Sequence, residues 1–395
     1  MDGSARPKAF YLPTRVVTGL GCSRTLGPEA RLLGDKALLI CSQGAAARKG
    51  FLEPLLASLD EAGVAVGLYA QVQGEPTLDL VQAGIDQARV QDSKLVIGLG
   101  GGSAMDTAKA IAGLALQPGR VHEYHQGLKL EGPGLPLITL PTTAGSGAEV
   151  TKNAVLSDPS RQFKASIRTD DWFARVTLVD PELTLGLPPS VTASSGSDAL
   201  CQAIEAFVSI GASPTTDALA ADAIHRIGRS LVAACQIGHD PAAPLAQRLE
   251  ARSGMLYGSL LAGMALANAR LGGVHGLAHP LGMRFQMPHG TVCGLLLPHV
   301  MEHNLAWCEE KYARVAGWLD ADTVGLSPGD AAPLAVERVR NLLVQIGLPL
   351  RLREFGVSEA DFPVIVEESL PSGSLKHNPR PLNAADLEVI LSAAL

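Results

Sequence analysis

The chain has 395 residues, of which 47% are hydrophobic, 18% charged and only 4% aromatic, with a net charge of −7. Such a composition buries a large aliphatic core and excludes a disordered chain, because apolar burial repays the entropy of ordering. The mild negative balance, with Lys and Arg scattered, excludes a general nucleic-acid or acidic-lipid partner, which needs a basic face.

Met-Asp-Gly-Ser-Ala-Arg-Pro-Lys-Ala-Phe-Tyr-Leu-Pro, at the start, has no apolar core of the export-signal kind. Short aliphatic runs at 36–41, 64–69, 95–98, 135–140 and 175–180 then read as strands. Helical patterns fill 50–62, 77–91 and 104–116. Continuous apolar strands alternating with helices signal a parallel sheet covered on both faces. The pattern changes at Leu185-Gly-Leu-Pro-Pro189, beyond which Ala-rich helical segments run at 216–237, 244–271, 334–347 and 384–395 without a convincing strand. We therefore expect an α/β domain over 1–187 and an all-helical domain over 188–395, with a ligand cleft between them; the motifs below make the first the expected dinucleotide-binding domain and the second the expected metal- and substrate-binding one. The longest low-charge apolar stretch, 255–269, is shorter than the roughly 20 residues of a spanning helix and reads as a closely packed buried one. Cys22, Cys41, Cys201, Cys235, Cys293 and Cys308 form no C-x-x-C pair and read as reduced core residues of a cytoplasmic enzyme.

Gly98-Leu-Gly-Gly-Gly-Ser-Ala-Met-Asp-Thr-Ala-Lys109 follows a strand and opens a helix. Ser103 is positioned to cap that helix, and Gly100, Gly101 and Gly102 let a phosphate approach its N–H groups. The motif is neither the Rossmann G-x-G-x-x-G nor a Walker loop. A second loop, Leu140-Pro-Thr-Thr-Ala-Gly-Ser-Gly-Ala-Glu-Val-Thr151, brings hydroxyls to the end of another strand. Together the loops favour a dinucleotide. After strand 36–41 come Ser42-Gln43-Gly44, then Arg48 and Lys49, with no acid before Glu53. A carboxylate there would repel a 2′-phosphate, so its absence tilts the expectation slightly towards NADP(H) over NAD(H).

Downstream, Asp198 and Gln202 stand four residues apart on one helix face, with Glu205 a turn further on. His275, His279 and His289 fall within 15 residues, in a chain with only ten histidines. Imidazoles with a carboxylate suit Fe²⁺ or Zn²⁺.

These motifs resemble, in order and along most of the chain, the iron-containing (group III) alcohol dehydrogenase family. The resemblance rests on Gly-Gly-Gly-Ser-x-x-Asp-x-x-Lys, Pro-Thr-Thr-x-x-Ser-Gly-x-Glu, Asp-Ala-Leu-x-x-x-x-Glu, His-Gly-x-x-His-Pro-Leu-Gly and Pro-His-Gly. Leu297-Pro-His-Val300 and Asn378-Pro-Arg380 complete it. It implies a Rossmann-like nucleotide domain followed by a helical metal domain, the fold shared with dehydroquinate synthase. Gly101, Gly102 and Ser103 would hold the pyrophosphate, with Gly100, Asp106 and Ser42 nearby. Thr142, Thr143 and Ser146 would face the nicotinamide end and Lys164 the ribose. Asp198, His275 and His289 match metal ligands, and His279 matches the histidine near substrate. Gln202 stands where the family has a fourth ligand, a histidine, and an amide oxygen is a poorer donor than imidazole. Three outcomes stay open: a weaker site, one completed by Gln202 or water, or a metal-free enzyme resembling maleylacetate reductase.

The expected activity is NAD(P)-dependent hydride transfer between a small alcohol or aldehyde and nicotinamide, by a homodimer or larger assembly. A sugar-phosphate cyclase-type lyase and a non-catalytic nucleotide-binding protein are the rivals. The lyase needs Lys and Arg near the metal; Arg270 and Arg284 flank the histidines and fit an anionic substrate or surface ion pairs equally.

Overall fold

The computed structural model describes residues 7–48, 50–161 and 163–395; Lys49, Gln162 and the first six residues of the segment read for an export signal lie outside them. Two compact units divide the chain. One is Leu12–Gly186, and the other is Leu187–Leu395 with the N-terminal segment up to Tyr11.

Six parallel strands build the first unit: β1 (Arg15–Thr18), β2 (Lys36–Ser42), β3 (Ala65–Val72), β4 (Leu95–Gly100), β5 (Leu137–Pro141) and, last in the chain, β8 (Val176–Val179). Their order is β1-β8-β5-β4-β2-β3, and every neighbouring pair is parallel. The helices are α1 (Leu26–Arg31), α2 (Gln43–Ala47), α3 (Glu53–Glu61), α4 (Leu78–Val90), α5 (Gly102–Leu114) and α6 (Val121–His125). Alternate residues of β2 enter opposite cores: Leu38 and Ile40 join Val81, Ile85 and Ile111, while Leu39 and Cys41 join Leu26, Leu55 and Leu59. Both faces are therefore covered, as continuous apolar strands require. The chain leaves β2 for β3 on one side and returns to β4 on the other. That reversal makes the crevice at the carboxyl ends of β2 and β4 the switch point where doubly wound sheets take ligands.

The strands depart from the expected set in two places. The short strand β1 was not expected, and β6 (Asn153–Asp158) and β7 (Phe163–Arg168) form an antiparallel pair outside the main sheet.

From Pro189 onward every described regular element is helical. The α-helices are α7 (Pro189–Val208), α8 (Pro214–Gln236), α9 (Leu245–Ala269), α10 (Gly273–Phe285), α11 (His289–Trp318), α12 (Pro328–Gln345), α13 (Phe362–Ser369) and α14 (Ala384–Ala394). The apolar stretch lies in α9, which meets α8 closely. A Cβ at Gly254 would fall 1.9 Å from Ser230 Oγ, and one at Gly258 2.7 Å from Ile227 Cγ1. No helix among the described residues is long and apolar enough to cross a membrane. The N-terminal segment is tied to this unit: Lys8 Nζ donates to Ile210 O (2.9 Å) and Tyr11 N–H to Asn268 Oδ1 (2.7 Å).

Gly290, in the first turn of α11, lets that turn abut α7. A Cβ there would lie 2.0 Å from the backbone oxygen of Ser194, which cannot swing aside as a side chain can. Gly290→Ala is expected to destabilise the protein by about 1–3 kcal/mol, as overpacking does. Urea denaturation checks this, and an unshifted midpoint contradicts it.

Candidate active site

At the switch point, β4 ends at Gly100 with φ +153°, and Gly101 is the N-cap of α5 with no side-chain cap. Ser103 is therefore not the cap expected from the sequence; it lies inside the first turn, where its carbonyl accepts from Thr107 Oγ1. A helix start lacking a capping side chain keeps its N–H groups and positive dipole end for another acceptor. The second loop packs directly on this turn. A Cβ at Gly101 would meet Thr143 Oγ1 at 3.0 Å, and one at Gly102 would meet Ser146 Oγ at 3.0 Å. Thr142 N–H donates to Gly100 O (2.9 Å). Gly100, Gly101, Gly102, Ser103, Thr142, Thr143 and Ser146 thus lie together at the carboxyl edge of β4 and β5. Ser42 ends β2, and its Oγ accepts from Ala45 N–H (3.1 Å) to cap α2. Arg48 lies 4.1 Å over the Phe51 ring and donates to Leu185 O (2.7 Å); Lys49 lies outside the described residues.

Asp106 and Lys164 have protein partners instead. Asp106 accepts from Val155 N–H (2.9 Å) and from Lys109 Nζ (3.3 Å). Lys109 also donates to Thr151 Oγ1 (3.0 Å) and Asn153 O (2.9 Å), so this helical pair ties β6 to α5. Burial outweighs their attraction, raising the pKa of Asp106 and lowering that of Lys109. Lys164, on β7, pairs with Glu75 at 2.6 Å.

In the helical unit, Asp198 and Gln202 are buried on α7, His275 and His279 ride on α10, and His289 opens α11. Asp198 Oδ1 faces Nε2 of His275 at 3.4 Å and Nε2 of His289 at 3.9 Å. Neither approach completes a hydrogen bond: Asp198 Oδ1 and Gln202 Oε1 are both buried without a partner. Two imidazole nitrogens converging on an orphaned carboxylate oxygen fit a divalent cation, since a buried acceptor left unsatisfied is costly. The His279 ring lies 5.8 Å, centroid to centroid, from that of His289. Arg284 is engaged with Glu368, its Nε donating at 2.8 Å, and Arg270 is exposed at the end of α9.

Two residues of this cluster carry no role in the sequence pattern. Glu205 accepts Nδ1–H of His275 (2.6 Å) and Val274 N–H (2.7 Å). It thereby fixes the tautomer that leaves Nε2 facing Asp198. Cys293, assigned above to the core, places Sγ 3.6 Å from His289 Nε2 and 3.8 Å from His275 Nε2. Burial opposes its thiolate, yet the hydrogen bond from Cys201 and the two imidazoles hold its pKa well below the ordinary thiol value. Its position four residues after His289 was the available signal.

Residues 13–181 match the family described as iron-containing alcohol dehydrogenase, and residues 192–395 match the C-terminal part of the Fe-containing alcohol dehydrogenase family. The chain belongs to the iron-containing alcohol dehydrogenase family. It is 38% identical over 387 residues to a 1,3-propanediol dehydrogenase of Citrobacter freundii, with 98% of each chain covered. It is 33% identical to an NAD-dependent methanol dehydrogenase of Bacillus methanolicus, covering 98% of this chain and 99% of that one. The crystal structure of a 1,3-propanediol oxidoreductase superposes with a TM-score of 0.93 at 36% identity, covering 99% of this chain and 100% of that one. This iron-containing alcohol dehydrogenase is an oxidoreductase acting on CH–OH groups.

Glu149, in the loop after β5, is buried, and burial raises its carboxyl pKa from 4.5 to about 7 against the pull of its own backbone N–H and of Lys109. The folded state therefore holds this proton more tightly than the unfolded one. Its contribution is full below about pH 4.5 and is lost as pH rises to about 7. Glu149→Gln is expected to exceed the wild type in stability by up to about 3 kcal/mol at pH 8, with no advantage at pH 4. Chemical denaturation at the two pH values decides; an equal difference at both refutes the linkage.

Proposed function

We propose that the chain interconverts small alcohols and aldehydes through a site formed by Asp198, His275 and His289 around a divalent metal, Fe²⁺ or Zn²⁺. The observation that carries this reading is the convergence of the two Nε2 atoms on the unpartnered Asp198 Oδ1. When bound, the metal acts as a Lewis acid on the substrate oxygen and the nicotinamide exchanges hydride with its carbon. Asp198 supplies anionic charge, and Glu205 holds His275 in register. Gln202 offers a neutral amide oxygen in the family's fourth ligand position. His279 takes the hydroxyl proton in oxidation and returns it in reduction, a task suited to an imidazole near neutral pH. Gly101, Gly102 and Ser103 receive the pyrophosphate at the start of α5. Gly100 and Ser42 flank it, and Thr142, Thr143 and Ser146 orient the nicotinamide end. Lys164 reaches the ribose from its pair with Glu75, while Asp106 acts from behind, by anchoring β6. All six cysteines are free thiols, which suits a reducing cytoplasm.

The test is an aldehyde and oxo-acid panel with NADH and NADPH, run with metal analysis of the same preparation. Small aldehydes should be reduced. Chelation, His275→Ala and His289→Ala should each lower kcat/KM by roughly a thousandfold, the several kcal/mol that Lewis-acid catalysis supplies. Full activity in both variants favours the metal-independent reading that Gln202 motivates.

For coenzyme choice, no acid follows β2 before Glu53 to exclude a 2′-phosphate. NADPH is therefore expected to match or exceed NADH in kcat/KM, or to trail it by less than about tenfold, a difference of about 1.4 kcal/mol. A preference for NADH beyond that margin shows that another group rejects the phosphate.

A further inference from the structure

Position 202 leaves the imidazole set one short, and the same cluster contains a donor of a different kind. Cys293 shares a face of α11 with His289, four residues before it. Its Sγ lies 3.6 and 3.8 Å from Nε2 of His289 and His275. Asp198 Oδ1 lies 3.9 and 3.4 Å from the same two nitrogens. All four atoms fall within 4.8 Å of one another.

Those spacings have a geometric meaning. A tetrahedral zinc ion takes nitrogen and oxygen at about 2.0–2.2 Å and sulfur at about 2.3 Å, so adjacent donor atoms stand about 3.3–3.6 Å apart. Four of the six edges run from 3.4 to 3.9 Å and exceed that range by a few tenths of an ångström at most, and the other two lie within 4.8 Å. The orphaned oxygens of Asp198 and Gln202 are an independent sign that the cluster lacks a partner. Cys201, the other nearby sulfur, lies 3.9 Å from Nδ1 of His275, the ring nitrogen already engaged by Glu205. It is therefore excluded as a ligand alongside Nε2.

We propose that Cys293 is the fourth ligand of an Asp198–His275–His289–Cys293 site, replacing the imidazole missing at position 202 and favouring zinc over iron. The inference rests on the metal-dependent reading above and goes beyond it in naming the ligand and the ion. A thiolate is a soft donor, and with two imidazoles it suits Zn²⁺ better than Fe²⁺. Binding forms an S–Zn bond and releases the thiol proton to solvent.

The test loads metal-free enzyme with Zn²⁺ alone and reads zinc-edge X-ray absorption. The wild type and Cys201→Ala should each show one sulfur at about 2.3 Å, and Cys293→Ser should show none. Cys293→Ala should weaken zinc binding more than about 100-fold, beyond the roughly 10–100-fold cost of losing an outer partner. Gln202→Ala should weaken it less than about tenfold. Circular dichroism confirms that each variant is folded, and the wild-type spectrum needs no variant at all. A Co²⁺-loaded sample should show thiolate-to-cobalt charge transfer that Cys293→Ser abolishes. A zinc shell of nitrogen and oxygen only, unchanged affinity in folded Cys293→Ala, or tighter binding of Fe²⁺ than Zn²⁺ overturns the proposal. A chain that binds neither ion overturns the metal-dependent reading itself.

Discussion

One carboxylate organises the helical part of the site. Glu205 accepts the backbone N–H of Val274 through one oxygen and Nδ1–H of His275 through the other. A single acid thus satisfies an orphan donor at the start of α10, sits where the helix dipole favours negative charge, and fixes which imidazole nitrogen faces Asp198. The surroundings accommodate it. A Cβ at Gly272 would lie 3.1 Å from Glu205 Oε1 and 2.9 Å from Asn378 Oδ1. Asn378 in turn accepts Gly273 N–H and exchanges amide hydrogen bonds with Asn304. The Asn-Pro-Arg segment, remote in sequence, therefore secures the same helix terminus as Glu205.

The parallel-sheet unit is arranged differently. Its ion pair Asp106–Lys109 is spent on the hairpin strand β6, and Lys164 is held by Glu75. What remains at the carboxyl edge of β4 is backbone, glycine and hydroxyl. Such a surface takes an anion through N–H groups and a helix dipole, without a competing side-chain charge.

Much of this was legible in the chain. Buried parallel strands announce themselves because both faces are apolar, so β2, β4 and β5 were read close to their observed limits. By contrast, β7 is exposed or half-buried throughout and β1 has four residues, which leaves neither a continuous nor a cleanly alternating pattern. Ser103 is the better intrinsic cap, yet the helix begins earlier because the turn out of β4 needs Gly100 at positive φ. Asp198, His275 and His289 were recognisable as donors by residue type. Cys293 was not, because a cysteine reads as a small hydrophobe until folding brings Sγ against two ring nitrogens. Glu205 was visible on the right helix face, but its partners lie some 70 residues away in sequence.

The contact between the α5 turn and the loop after β5 has a consequence for how this protein can change. A carbon added at Gly101 would stand 3.0 Å from Thr143 Oγ1, and one at Gly102 3.0 Å from Ser146 Oγ, so each hydroxyl would have to give by a few tenths of an ångström. A larger residue on the α5 turn therefore calls for a shift of the hydroxyl side chain after β5, so substitutions in the two loops are coupled. Two segments some 40 residues apart in sequence thus share one packing contact, and a change in either has to be judged with the other in view.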